Sequence, residues 1–289
     1  MQLGLIGLGR MGGNMRERLR RAGHEVIGYD PNPDVTDVPG LGQLVERLAA
    51  PRLVWIMVPV QFTEPTIDQL KELLSAGDVV IDGGNSRFSD DPPRAQKFGE
   101  RGIGYLDCGV SGGVWGREFG YALMVGGDAE HVAKAQPIFD ALKPEGEFGF
   151  VHAGPVGAGH YAKMVHNGIE YGLMHAYAEG YELLEASEYV TDVPAVVKSW
   201  REGTVIRSWL LDLLDRALEE DPKLAQLRGY ADDTGEGRWT VEESIRLAVP
   251  MNVIAASLFA RFLSRQDDSP AMKAVAALRN QFGGHAVHK

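Results

Sequence analysis

The sequence LGLIGLGRMG, residues 3–12, decides the fold of the N-terminal half of this chain. It opens with an apolar run typical of a buried strand, and GLGRMG follows as a Gly-x-Gly-x-x-Gly turn that leads into a helix. Such glycines allow a tight turn and let the backbone approach a pyrophosphate, whose charge the helix N-terminus stabilises. We therefore predict a dinucleotide site formed by Gly7, Leu8, Gly9, Arg10, Met11 and Gly12.

Asp30 indicates which dinucleotide is bound. It ends a second strand-like segment, EVIGYD (25–30), at about the distance from the glycine-rich turn at which an acidic residue meets the ribose. A carboxylate there accepts hydrogen bonds from the ribose hydroxyls and repels a 2′-phosphate. No arginine follows, because the next residues are Pro31-Asn32-Pro33. We therefore predict NAD as the cofactor, in preference to NADP.

Strand and helix patterns alternate outward from this turn to about residue 152. Further strands are predicted at 53–58, 78–83, 103–108 and 122–127, and helices at 10–22, 40–49, 64–75, 90–101 and 129–142. From about residue 158 only helical periodicity remains, with helices predicted at 158–186, 193–201, 204–219, 240–248, 250–265 and 270–282 and a loop at 228–238. These patterns predict an α/β fold: a Rossmann-type, doubly wound, mostly parallel sheet in residues 1–157, followed by an all-helical domain in residues 158–289.

Charge and composition exclude several classes of function. The 289 residues carry a net charge of −11, which argues against general nucleic-acid binding and against binding to anionic membranes. No apolar run approaches the length of a membrane span. The single cysteine, Cys108, rules out an intrachain disulfide and fits a reducing cytosol. We therefore expect a cytoplasmic protein that binds neither nucleic acid nor membrane.

A polar stripe follows helical spacing within residues 157–184. Its members, at intervals that place them on one helix face, are Lys163, His166, Asn167, Glu170 and Tyr171. A candidate base, a candidate acid and hydrogen-bonding groups on one rigid face fit a reaction centre. A solvated helix face gives the same pattern, so periodicity alone leaves both interpretations open.

Three further segments complete a recognisable set of motifs. GGNS (83–86) follows the fourth predicted strand, DCGVSGG (107–113) covers the end of the fifth, and GAGHYAKMVHNGIEYG (157–172) opens the helical half. Together with GLGRMG they resemble the β-hydroxyacid dehydrogenase superfamily. The segments KMVHNGIEY, SLFAR and FGGH are similar to one family within it, the decarboxylating 6-phosphogluconate dehydrogenases in their short, NAD-type form. The resemblance implies oxidative decarboxylation of 6-phospho-D-gluconate to ribulose 5-phosphate and CO2, with hydride transfer to NAD.

The resemblance also implies roles for individual residues. Lys163 would be the base that takes the proton of the C3 hydroxyl, and Glu170 would protonate C1 of the enediol; Lys163 must then exist neutral near pH 7. Implied substrate ligands are Asn85, Ser111, Gly112, Gly113, His166 and Asn167, and implied cofactor contacts are Val58, Pro59 and Asn85. No metal is required by this chemistry, and the sequence shows no clustered metal ligands.

The phosphate end of the substrate departs from the family pattern. Tyr171 and Arg261 match phosphate ligands, and Arg279 and His285 match ligands that come from the C-terminal tail of a second subunit. The resemblance therefore implies a homodimer or homotetramer, with substrate binding and oligomerisation assigned to the helical domain. The family's loop lysine, however, falls on Thr234 and its threonine on Glu236.

Three explanations of this departure stay open: Arg238 takes the role, the loop is placed differently, or the substrate carries less negative charge. Two other functions also stay open. One is an NAD-dependent 3-hydroxyacid dehydrogenase acting on a small unphosphorylated hydroxy acid. The other is a catalytically silent NAD-binding sensor, against which the presence of both Lys163 and Glu170 argues.

Overall fold

Two units make up the chain in the computed structural model, which describes residues 1–288 except the side chain of Phe282. Contacts within the chain group Met1–His166 into one unit and Asn167–Lys289 into the other. A single helix, α7 (Ala158–Glu185), runs through the point of division. The predicted domain limits, 1–157 and 158–289, therefore stay a prediction, because this helix belongs to both units.

The first unit is built on a seven-stranded sheet in the order β2-β1-β3-β4-β5-β6-β7. The strands are β1 (Gln2–Ile6), β2 (Glu25–Tyr29), β3 (Leu53–Ile56), β4 (Val79–Asp82), β5 (Gly104–Ser111), β6 (Ala122–Gly127) and β7 (Phe150–Gly154). All neighbouring pairs are parallel except β5 with β6, which is antiparallel. This confirms the predicted doubly wound, mostly parallel sheet.

Helices connect these strands and cover the sheet. They are α1 (Arg10–Arg21), α2 (Leu41–Arg47), α3 (Val60–Leu73), α4 (Asp91–Gly99), α5 (Gly116–Phe119) and α6 (Ala129–Leu142). Two apolar cores form: Leu3 and Leu5 of β1 belong to one, and Ile6 of the same strand belongs to the other. Since successive strand residues point to opposite faces, a sheet with two buried faces needs the near-continuous apolar strands seen in the sequence.

The seventh strand was not predicted from the sequence. β7 lies at the edge of the sheet and pairs only with β6. Its central residues, Val151, His152 and Ala153, are exposed. An edge strand of this kind lacks both the apolar run and the clean alternation that reveal buried strands.

The second unit contains helices and no strand in its described part, residues 167–288. After α7 come α8 (Val193–Ser199), α9 (Trp209–Glu220), α10 (Glu236–Leu247), α11 (Asn252–Leu263) and α12 (Pro270–Gly283). Two predicted boundaries are wrong. α9 begins at residue 209 rather than 204, because Ser208 caps it by accepting a 3.1 Å hydrogen bond from Leu211 N–H. α10 begins inside the predicted loop. Among the described residues no helix is long and apolar enough to cross a membrane.

Candidate active site

The glycine-rich turn after β1 has the shape that a pyrophosphate needs. Gly7 has a φ of +90°, which favours glycine, and a Cβ on Gly12 would lie 1.9 Å from the Gly7 carbonyl oxygen. A Cβ on Gly9, by contrast, would meet nothing within 4 Å. The first turn of α1, which begins at Arg10, contains no acidic residue. The space beside Gly9, at the N-terminus of α1, is therefore open and in a position favourable to an anion.

Asp30 holds the two loops at which a ribose would bind. Its Oδ2 accepts a 2.7 Å hydrogen bond from Leu8 N–H in the glycine-rich turn, and its Oδ1 accepts one of 2.9 Å from Asn32 N–H. A carboxylate oxygen can accept two hydrogen bonds, so both oxygens keep capacity for ribose hydroxyls. The sequence predicted the contact with the ribose but not this second, structural role.

The loops that follow β1, β3 and β4 adjoin at the carboxyl edge of the sheet. A Cβ on Gly7 would lie 3.1 Å from Val58 Cγ1, and a Cβ on Gly84 would lie 3.1 Å from the Val58 carbonyl oxygen. Pro59 precedes the first residue of α3, and Asn85 is exposed at the end of β4. The structure thus brings the predicted cofactor residues of the second and third loops beside the glycine-rich turn.

The catalytic candidates meet where α7 packs on β5. A Cβ on Gly109 would lie 2.3 Å from Lys163 Cβ, so only glycine lets the helix come this close. Two residues further along the same strand, Ser111 Oγ lies 3.3 Å from His166 Nε2. Alternate strand residues share a face, and helix residues three apart do the same, which accounts for the two contacts. Lys163, Ser111 and His166 are therefore brought together as predicted.

Gly112 and Gly113 continue the chain from Ser111 with φ values of +143° and +54°. A Cβ on Gly112 would also lie 3.1 Å from the Gly120 carbonyl oxygen. The two glycines make the turn that ends β5 beside Ser111. Their proposed contact with the substrate stays a prediction.

Asp107 anchors the helix that carries these candidates, and sequence reasoning gave it no role. Its side chain is fully buried, and its carboxylate accepts hydrogen bonds of 2.6 Å from Gly157 N–H and 2.9 Å from His160 N–H. These N–H groups belong to the start of α7 and have no partner within the helix itself. A buried aspartate in the segment DCGVSGG, four residues before Ser111, was the available signal.

A second buried aspartate, Asp82, shapes the loop that contains Asn85. Its carboxylate accepts hydrogen bonds from Gly84 N–H at 3.0 Å, from Ser86 Oγ at 2.7 Å and from Arg94 Nη1 at 3.1 Å. Burial disfavours a charged guanidinium, but contacts with Glu64 and Asp82 raise the pKa of Arg94. The arginine therefore stays charged and neutralises the aspartate beneath the loop.

Ligand-type atoms of Asp82, Asp91 and His160 lie within 4.8 Å of one another. Arg94 Nη1 lies 3.1 Å from Asp82 Oδ2 and 3.8 Å from Asp91 Oδ1, and Tyr105 OH donates a 2.8 Å hydrogen bond to Asp91 Oδ1. A cation already occupies the position that a metal would need. We therefore interpret these residues as a hydrogen-bonded network.

Asn167, Glu170 and Tyr171 lie further along α7, in the second unit. Asn167 and Glu170 are half-buried, and Tyr171 is 6% exposed. The Tyr171 hydroxyl is buried without a hydrogen-bond partner among the described residues. The Arg261 guanidinium carbon lies 3.5 Å from the Tyr171 ring centroid, a cation–π contact. The structure therefore brings together the two predicted phosphate ligands of this unit.

Two more arginines lie beside Arg261. Arg261 Nη1 donates a 2.9 Å hydrogen bond to the Asp232 carbonyl oxygen, while Arg238 and Arg265 both donate to the Asp233 carboxylate, at 3.1 and 3.0 Å. The Asp233 side chain is 5% exposed, and although burial opposes its charged form, these arginines lower its pKa. We call Arg238, Arg261 and Arg265 the loop arginines, since residues 231–233 hold all three.

Thr234 and Glu236, which replace the family's loop lysine and threonine, differ in exposure. Glu236 is the first residue of α10 and is 2% exposed, whereas Thr234 is exposed. Arg279 and His285 are both exposed, on α12 and in the tail that follows it. In the single chain they are not brought to Tyr171 or Arg261 by any described contact, and their role stays a prediction.

Comparison with known proteins decides the family. The protein-family model described as "NAD binding domain of 6-phosphogluconate dehydrogenase" matches residues 2–146. The family model described as "6-phosphogluconate dehydrogenase, C-terminal domain" matches residues 159–286. The chain belongs to the 6-phosphogluconate dehydrogenase family. This confirms the resemblance found in the sequence and NAD as the cofactor of the first unit.

Relatives in this family include proteins of the same length and longer ones. A Haloferax volcanii protein named "6-phosphogluconate dehydrogenase, NAD(+)-dependent, decarboxylating" is 42% identical, over 99% of this chain and 98% of its own. A Bacillus subtilis protein of the same name is 36% identical, over 91% of this chain and 61% of its own. This chain therefore spans 61% of the length of the longer relative.

Solved structures confirm the fold. Plasmodium falciparum 6-phosphogluconate dehydrogenase, solved in apo form and with NADP+ or 6-phosphogluconate, has a TM-score of 0.84 at 25% identity, over all of this chain and 66% of its own. A Mycobacterium tuberculosis 3-hydroxyisobutyrate dehydrogenase has a TM-score of 0.71 at 21% identity, over 96% of this chain and 99% of its own, which shows a shared fold. The fold alone therefore does not show whether the substrate is a phosphorylated sugar acid or a small hydroxy acid.

Proposed function

We propose that the protein oxidises and decarboxylates 6-phospho-D-gluconate to ribulose 5-phosphate and CO2, with NAD as hydride acceptor. The observation that carries the proposal is the packing of α7 on β5. It places Lys163 over Gly109 and His166 beside Ser111, on the strand that ends near the cofactor loops. In a 6-phosphogluconate dehydrogenase, Lys163 at this position would act as a base, with Ser111 and His166 as hydrogen-bonding groups beside it.

Bound NAD would accept the hydride that leaves C3 of the sugar acid. At the same time a neutral Lys163 takes the proton of the C3 hydroxyl, which leaves a carbonyl at C3. The lysine ammonium then returns that proton to the carbonyl oxygen as the bond to the carboxylate breaks and CO2 departs. Glu170 lies seven residues from Lys163 on the same helix, two turns along one face, and gives a proton to C1 of the resulting enediol. The proton of the adjacent enediol hydroxyl returns to Lys163, which leaves the ketone of ribulose 5-phosphate.

We propose that NAD is preferred over NADP because of Asp30. The carboxylate is held in place by Leu8 N–H and Asn32 N–H, so it cannot swing away from a 2′-phosphate without breaking both hydrogen bonds. Like charges in close contact near a surface repel by about a few kcal/mol. The relatives named as NAD(+)-dependent support the same preference.

We propose that the loop arginines bind the substrate phosphate in place of the family's lysine and threonine. Two of the three guanidinium groups bond the Asp233 carboxylate, and that of Arg261 bonds only a backbone carbonyl among its printed partners, that of Asp232. The three arginines therefore carry more positive charge than Asp233 neutralises, in a chain of net charge −11. Guanidinium groups bind phosphate through paired hydrogen bonds. Glu236 is 2% exposed, so its carboxylate is not among the surface groups that a bound phosphate would contact. This cluster favours a phosphorylated substrate over a small unphosphorylated hydroxy acid.

We propose that a second copy of the chain completes the site with Arg279 and His285. Support comes from α12, where Met272, Val275 and Leu278 are 62%, 44% and 65% exposed. Residues at these intervals share a helix face, and an apolar face of this kind is typical of a surface that packs against a partner. The proposal commits to a homo-oligomer of at least two chains.

Initial rates separate the possible functions. 6-Phosphogluconate, gluconate and 3-hydroxyisobutyrate are each offered with NAD and with NADP, and reduced cofactor and CO2 are measured. The proposal expects turnover of 6-phosphogluconate with NAD and stoichiometric CO2. Turnover of only the unphosphorylated acids would establish the small-hydroxyacid alternative, and NAD binding without turnover of any acid would establish the silent sensor.

A further inference from the structure

His160 and Asp91 form a buried pair that the mechanism above does not use. Their side chains are 2% and 0% exposed, and His160 Nδ1 lies 2.8 Å from Asp91 Oδ2. The other carboxylate oxygen of Asp91 accepts a 2.8 Å hydrogen bond from Tyr105 OH. Burying two ionisable groups away from water is costly unless their geometry is well satisfied, so the pair needs an explanation.

The pair connects α7 to the loop after β4 through buried contacts. Asp91 opens α4, and its Oδ1 lies 3.8 Å from Arg94 Nη1. The same Arg94 nitrogen lies 3.1 Å from Asp82 Oδ2. Asp82 in turn holds Gly84 N–H and the Ser86 hydroxyl, on either side of Asn85. A continuous polar network therefore runs from His160 to the loop that presents Asn85.

His160 also lies close to the proposed base along α7. Its backbone N–H donates a 2.9 Å hydrogen bond to Asp107 of β5, while its side chain contacts Asp91 of α4. The helix is thus held at one residue from two directions. Lys163 is three residues further on, almost one turn along the same face. A rotation of α7 about its axis would displace Lys163 and would break the contact between His160 and Asp91.

We propose that His160 and Asp91 are positioning residues, which fix the rotation of α7 and so hold Lys163 in register with the loop that contains Asn85. This rests on the proposed function, in which Lys163 is the base. A wrong placement of a catalytic group by 1 Å lowers a rate by roughly 100-fold. Loss of the pair should therefore slow the chemical step strongly, and should change the binding of NAD much less, because the glycine-rich turn and Asp30 also hold the cofactor.

Three variants and three kinetic measurements test the proposal. His160→Leu removes the contact with Asp91, and His160→Asn restores a donor close to the position of Nδ1. Asp78→Asn is the matched control, because Asp78 is 1% exposed and bonds Arg52 at 3.1 Å at the opposite end of β4. We measure kcat, the KM for NAD, and the deuterium isotope effect on kcat with substrate deuterated at C3.

We expect His160→Leu to lower kcat by roughly 100-fold with an increased isotope effect and a much smaller change in the KM for NAD. His160→Asn should recover most of the rate, and Asp78→Asn should lose thermal stability but keep the wild-type kcat. A folded His160→Leu enzyme with wild-type kcat and isotope effect would overturn the proposal. So would an equal change in the Asp78→Asn enzyme. If His160→Leu does not fold, His160→Phe, which keeps a ring at this position but has no nitrogen donor, decides by the same criteria.

Failure of the proposed function gives a different result. Wild-type enzyme that oxidises only another hydroxy acid would refute 6-phosphogluconate as substrate, and the variants are then measured with that acid. Lack of turnover with every acid would refute both proposals.

Discussion

Ser111 and His166 contact each other across β5 and α7, with Oγ 3.3 Å from Nε2. Ser111 is the last residue of its strand, and His166 lies in the third turn of its helix. The contact therefore brings two proposed substrate ligands, 55 residues apart in the chain, to one point. Because each can bond the other, the substrate must either replace this contact or share it.

Ser111→Ala tests whether the serine binds substrate. Losing one hydrogen bond of ordinary strength, about 1–1.5 kcal/mol, should lower kcat/KM for 6-phosphogluconate roughly tenfold. The KM for NAD should not change. Ser89→Ala is the matched control, because Ser89 is exposed and its hydroxyl bonds its neighbour Asp90. Equal kinetics for the two variants would remove Ser111 from the site.

Gly109→Ala tests the close approach of α7 to β5. The new methyl group would lie 2.3 Å from Lys163 Cβ and 2.9 Å from the Gly159 carbonyl oxygen, so the helix must move. We expect a loss of stability of about 1–3 kcal/mol in urea unfolding and a much lower kcat. Gly42→Ala is the control: it lies within α2 with nothing within 4 Å of the new atom, and should leave stability unchanged or raise it by about 0.5–1 kcal/mol. A Gly109→Ala enzyme with full activity would contradict the proposed place of Lys163.

The sequence was sufficient to predict the elements whose residues interact with neighbours close by in the chain. The turn from Gly7 to Gly12 and the stripe from Lys163 to Tyr171 follow local rules of glycine conformation and helical spacing. Asp82, Asp91 and His160 could not be identified in this way, because their partners are set by the crossing of β4, α4 and α7. The seventh strand could not be predicted for a different reason, because an exposed edge strand has no distinctive sequence pattern.

Asp30 can be tested by a change of cofactor preference. Asp30→Asn with Asn32→Arg removes the repelling carboxylate and adds a guanidinium at an exposed neighbour. We expect the ratio of kcat/KM for NAD over NADP to fall by roughly tenfold or more, since each 1.4 kcal/mol is a factor of ten. Asn32→Arg alone keeps Asp30 and should keep the preference for NAD. If the wild-type enzyme uses the two cofactors equally, the argument from Asp30 is wrong.

The buried pair predicts how stability depends on pH. Burial opposes the charged form of His160, and its Nε2 has no described partner, but Asp91 with Asp82 and Asp107 raises its pKa from 6.5 to about 9. Burial raises the pKa of Asp91 to about 6. A histidine whose pKa is raised in the folded state contributes stability that is complete below pH 6.5 and is lost as the pH rises through about 9.

The free energy of unfolding of the wild type should therefore fall between pH 6.5 and 9 by more than that of His160→Asn, in which this position does not titrate. Urea unfolding at several pH values measures both. Groups away from the pair titrate equally in the two proteins, so the difference between the curves isolates the pair of His160 and Asp91. Parallel curves would show that the histidine stays neutral over this range.

The loop arginines give the sharpest test of a phosphorylated substrate. Arg265→Gln should raise the KM for 6-phosphogluconate by roughly tenfold or more, because a charged hydrogen bond of about 1.5–3 kcal/mol is lost. The KM for NAD should stay unchanged. Arg228→Gln is the matched control, since Arg228 precedes the same loop but is exposed and pairs with Asp267 on the surface. Added inorganic phosphate should inhibit the wild type by competing with 6-phosphogluconate, and should inhibit the Arg265→Gln enzyme less. If Arg265→Gln and Arg228→Gln have the same KM, the phosphate is held elsewhere, and Arg261 with the partner's tail becomes the remaining explanation.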